Sequence, residues 1–144
     1  MKDHHEIVRT AVAIAPVAIG TTGTGQTGKI IDTQGYGGVE FLFAYGTITA
    51  TSAVYTVLLK EGDVTGTMTS VADADMLGTE LLAGVAATTP RTSGVSKNVT
   101  KRLGYKGNKR YVQVAKLSST VTATTPVSVT ALLHSPAVAP TANP

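Results

Sequence analysis

A chain of 144 residues, 42% of them hydrophobic, is long enough to bury one sizeable core. Charged residues make up only 15%, against roughly 25% in an average soluble protein, so disorder, which needs low hydrophobicity and high net charge, is a poor reading and assembly a better one. Cys and Trp are absent, which excludes disulfides, thiolate metal sites and thiol nucleophiles and points to folding in a reducing cytoplasm.

The net charge of +3 hides a division. Residues 1–80 carry all nine acids against four bases, a balance of −5, and residues 81–144 carry eight bases and no acid, a balance of +8. Such halves can associate head to tail with copies of the chain, meet a partner's acids, or neutralise each other inside one fold.

In chain order, residues 1–28 read as an N-terminal arm with a first strand. Val8, Val12 and Ile14 suit that strand, and Pro16 is expected to end it. His4 and His5 are adjacent, so on a strand they would point to opposite faces and could not chelate one ion together. No run reaches the roughly 18 consecutive apolar residues of a membrane helix, and no membrane partner is expected. The Gly- and Thr-rich stretch 20–28 matches neither a dinucleotide fingerprint nor a P-loop, because Ile30 follows Lys29 where Ser or Thr is required. It is expected to be a flexible loop.

Residues 29–134 read as a β-sandwich. Within VEFLFAY, Val39, Phe41, Phe43 and Tyr45 alternate onto one face, the pattern of a central core strand. Tyr55, Val57 and Leu59 do the same in the next run, and Val127, Val129, Ala131 and Leu133 in the last. Asp73–Gly78 is expected to form one turn of helix, with Asp73 as its N-cap. Asp73 and Asp75 resemble half of a calcium loop, but the Gly and Glu that complete one are missing. The tail 135–144 holds three of the six prolines and should be extended, lying across a neighbour.

Charge concentrates between Asn98 and Leu117. Seven of the twelve Lys and Arg residues stand at 97, 101, 102, 106, 109, 110 and 116. Two β-type runs, 99–105 and 110–117, flank Lys106-Gly107-Asn108-Lys109, which is expected to close a basic hairpin. Lys101, Arg102, Tyr105, Lys106, Lys109, Arg110 and Tyr111 form the candidate interface, the bases docking on acidic groups and the two tyrosines acting as anchors.

Short runs spaced about ten residues apart indicate an all-β, jelly-roll-like sandwich; the Cys pair and core Trp of an immunoglobulin domain are missing. Catalysis has little support, since the three His lie near the termini and the carboxylates fall mostly in turns. No catalytic residue, cofactor or metal is expected. Tyr105 and Tyr111 among bases are compatible with single-stranded nucleic acid, but no binding signature accompanies them, and nucleic acid is the weaker partner. A glycan module is weaker still without Trp.

The pattern IDTQGYGGVEFLFAYGTITATSAVYTVLLKEGD, with VADADMLGT and KRLGYKGNKRYVQV after it, resembles small virion proteins of tailed bacteriophages. The likeness spans residues 29–134. Proteins of that kind are capsid decoration (cement) proteins or bases of head spikes. The resemblance implies a non-enzymatic structural protein, made in the host cytoplasm, that binds the outside of the capsid and bridges copies of the major capsid protein. It also implies self-association, as a dimer or trimer.

Overall fold

Alternation of buried and exposed side chains sets the strands. A computed structural model of the chain describes residues 4–20, 25–119 and 121–138. In order these form α1 (His4–Ile7), β1 (Val8–Ile19), β2 (Gly25–Asp32), β3 (Tyr36–Tyr45), β4 (Ala53–Val64), β5 (Thr67–Ser70), β6 (Met76–Leu77), α2 (Glu80–Ala83), β7 (Val85–Ala87), β8 (Thr100–Tyr105), β9 (Tyr111–Ser119) and β10 (Thr125–Pro136). Short 3-10 turns occupy Asp73–Asp75 and Gly94–Ser96.

Two antiparallel sheets result, ordered β1-β10-β3-β8-β6 and β2-β9-β4-β5, with β7 also pairing β4. The chain passes from one sheet to the other at every step between consecutive strands except from β4 to β5. That alternation is the jelly-roll winding, and the expected all-β sandwich is the observed fold. The inward residues expected from periodicity are in the core: Val39, Phe41, Phe43 and Tyr45 from β3 meet Tyr55, Val57 and Leu59 from β4 and Val127, Val129, Ala131 and Leu133 from β10, and Val112 and Val114 from β9 join them.

Several expectations are corrected. The first strand expected within residues 1–28 is β1, which is longer than its predicted run and pairs with β10 from Val8 to Ile19. Pro16 does not end β1; it sits where the register slips between Ile14 and Val17, on the edge of the sheet, where a missing N–H is tolerated. His4 and His5 lie in the helical turn α1. The 3-10 turn at Asp73–Asp75 is capped by Ala72 without a side-chain bond, so Asp73 is not its N-cap. Residues 25–28 of the expected loop 20–28 open β2, which pairs with β9. The tail holds strand pairing as far as Pro136, while residues 1–3, 21–24 and 139–144 lie outside the described residues.

Candidate interaction surface

The expected basic hairpin does not exist. β8 pairs with β3 and β6, and β9 pairs with β2 and β4, so residues 106–110 arch from one sheet to the other. A Gly-Asn turn between two alternating runs reads the same for a hairpin and for an arch, and the jelly-roll winding decides between them.

The arch is tied down by the chain's own acids. Tyr105, expected as a surface anchor, is 2% exposed. Its Oη donates to Glu61 Oε2 at 2.6 Å and accepts from the Lys109 amide at 2.9 Å. Burial, reinforced by the Glu61 bond, pushes this phenol well above its ordinary pKa. Gly107 lies against the ring, where a Cβ would stand 2.5 Å from Tyr105 Oη, so a side chain there would displace the tyrosine. Lys106 donates its amide to the Asp75 carbonyl at 2.9 Å, leaving its side chain exposed. Lys109 Nζ pairs with Asp63 at 2.6 Å, and Arg110 grips both oxygens of Asp32 at 2.8 and 3.1 Å while lying 4.9 Å from the Tyr111 ring centre. Arg110's hydrogen bond holds the Asp32 carboxyl below its ordinary range, and Asp63 raises Lys109. Of the three fates open to the charge-divided halves, internal neutralisation therefore takes Lys109 and Arg110.

Lys116 is withdrawn altogether. It shares the inner face of β9 with Val112 and Val114 and is fully buried. Its Nζ donates to Tyr45 Oη at 2.6 Å and lies 4.1 Å from the Tyr45 ring centre and 5.5 Å from that of Tyr55. Tyr45 Oη in turn donates to the Ala83 carbonyl at 2.8 Å, and Tyr55 Oη to Thr125 Oγ1 at 2.6 Å. Burial pulls the amine from 10.5 down to about 7 and raises Tyr45.

The bases that stay available are those of β8 and its flanks. Arg102 has an 82% exposed side chain and only a long 3.8 Å approach to Glu40. Among the described residues, no carboxylate pairs with Lys97, Lys101 or Lys106. Lys101 and Arg102 line a groove of about 680 Å³ together with Glu40, Leu42, Leu77 and Leu82. Leu77 and Leu82 are 49% and 63% exposed. Sequence reasoning missed α2, which carries Leu82, although its start was legible. Thr79 precedes Glu80-Leu81-Leu82, and its Oγ1 accepts from the Leu82 amide at 3.1 Å. Tyr111 is half-buried on the far side, beside Arg110, so the seven candidate residues do not form one patch.

Among the described residues no three His, Asp or Glu converge on a point that could hold a metal ion, and no helix is long and apolar enough to cross a membrane. No protein family and no curated protein matches the chain by sequence. Similarity is found among solved structures. The PBSX exported protein XepA is similar at a TM-score of 0.55 and 11% identity, over 94% of this chain and 40% of that one. A structure of the infectious bursal disease virus Gx strain aligns at 0.49 and 9%, over 88% of this chain and 32% of that one. The CBM22-1 xylan-binding domain from Paenibacillus barcinonensis Xyn10C aligns at 0.43 and 9%, over 90% and 87%. These are likenesses of fold, and the chain spans less than half of the first two.

Proposed function

We propose that this chain is a non-enzymatic structural protein of a tailed-phage virion, which binds the outside of the capsid and bridges copies of the major capsid protein. The observation that carries the reading is the surface of β8. Lys101, which no carboxylate pairs among the described residues, and Arg102, which has only the long 3.8 Å approach to Glu40, stand there beside exposed leucines, on a sandwich whose arch is fixed by Asp32, Glu61, Asp63 and Asp75. A rigid body with one mixed basic and apolar face suits a shallow acidic and apolar shell surface, and repeated copies on a shell turn modest single affinities into firm attachment. The jelly-roll winding, a common architecture of viral capsid domains, and the likeness to XepA support the reading without deciding it.

The test is co-sedimentation of the purified chain with shells of the phage that encodes it. Saturation at a fixed number of copies per shell is the expected result. Absence of shell binding, combined with retardation of single-stranded oligonucleotides or retention on a polysaccharide array, would replace this reading with one of the other two.

A further inference from the structure

The open edge of β8 carries a more specific assignment. Tyr45 donates its amide to the Val99 carbonyl, which fixes the hydrogen-bonded pairs between β3 and β8 at 45/99, 43/101, 41/103 and 39/105. The amides and carbonyls of Thr100, Arg102 and Gly104 therefore point away from β3. β6 meets Gly104 through Leu77, and then Gly78, with a φ of +92°, turns the chain off the edge. Among the described residues, no strand continues the pairing at Thr100 and Arg102.

The same molecule closes an equivalent gap elsewhere. Between β5 and β7, the outward amide of Leu59 on β4 is taken by the Glu80 carboxylate at 2.5 Å, and its carbonyl by the amide of Val71 at 3.0 Å. At β8 the gap is flanked by two cations, Lys101 and Arg102, which outnumber the one carboxylate, Glu40, of the leucine-lined groove. A basic rim, an apolar floor and unpaired backbone groups together complement an extended strand that alternates acidic and apolar side chains.

We infer that β8 takes an extended acidic and apolar peptide segment of a partner protein as an additional antiparallel or parallel strand, seated beside Arg102 and over Leu77 and Leu82. This rests on the reading of the chain as a binding protein and names the chemistry of what it binds.

The experiment is fluorescence anisotropy on the full chain, using a fluorescein-labelled octapeptide that alternates glutamate with valine and its lysine-valine counterpart. Saturable binding of the acidic peptide, at least about tenfold tighter than the basic one at low salt, is expected. Arg102→Glu should weaken it about tenfold, while Lys109→Glu, on the arch, should leave it unchanged. N-methylation of alternate peptide amides, which leaves the protein untouched, should abolish binding, because those amides bond the edge. Equal affinity for both peptides, unchanged affinity after N-methylation, or no saturation would overturn the inference. So would dimerisation that Arg102→Glu blocks without peptide binding, since it would give the edge to a second copy. A chain that sediments with shells yet ignores the peptide loses this inference alone. One that binds the peptide yet leaves shells unbound loses the virion reading alone.

Discussion

The amine of Lys116 sits 2.6 Å from the hydroxyl of Tyr45, in the middle of a sandwich core in which, among the described residues, no carboxylate is buried to pair with it. Its pKa of about 7, against 10.5 in the unfolded chain, makes stability depend on pH. Between those two values the unfolded chain holds a proton that the folded chain lacks, so stability should climb by about 1.4 kcal/mol per pH unit from pH 7 upward. Near pH 10 the raised phenols of Tyr45 and Tyr105 reverse the sign, because the unfolded chain loses their protons first. Urea unfolding at pH 6, 7.5 and 9 measures the slope. Lys116→Met should flatten it and should raise stability at pH 6 by about 1–4 kcal/mol. A parent chain equally stable at all three values would contradict the assignment.

The arch is expected to be held by Tyr105 more than by its salt bridges. Tyr105→Phe removes the bond to Glu61 and the acceptor for the Lys109 amide, and should cost about 1–3 kcal/mol. Breaking the exposed Lys109–Asp63 pair with Lys109→Ala should change stability less than Tyr105→Phe does, because solvent and salt screen the pair. Gly107→Ala should destabilise the fold, since its Cβ would enter the Tyr105 ring's space. Denaturant midpoints of the three variants rank these effects.

Glu80 gives a third expectation. Glu80→Ala leaves the Leu59 amide without its partner at the gap in β4 and should cost about 1–3 kcal/mol. Hydrogen exchange should show the loss locally, as faster exchange at Leu59 with the amides of β9 still protected.

How far these features were legible follows from what each signal reports. Alternation in VEFLFAY and in the last strand named the inward residues correctly, because burial of one face imposes a period of two whatever the strand's partner. Partner choice leaves no such trace, so 99–105 and 110–117 read as a hairpin although they belong to different sheets. Lys116 alternates with Val112 and Val114 along β9, so the period of two carries its burial where its charge only counts it among the basic residues. Charge totals located the basic stretch but not which bases the acidic half would neutralise. That depended on Asp32 and Asp63 arriving at one end of the sandwich from β2 and β4.

The division of the basic stretch separates two classes of variant. Arg102→Glu should weaken attachment to shells about tenfold, and Lys109→Glu should change it by less than about threefold, with both variants folded by circular dichroism. Equal losses would restore the arch as part of the contact surface.

The most direct measurement is the stoichiometry of the wild-type chain and its Arg102→Glu variant on purified shells, read by sedimentation across a concentration series. A fixed plateau for the wild type, with the variant's half-saturation displaced to higher concentration, is the expected result. Binding that never saturates, or a variant indistinguishable from the wild type, would contradict the claim that β8 is the adhesive surface.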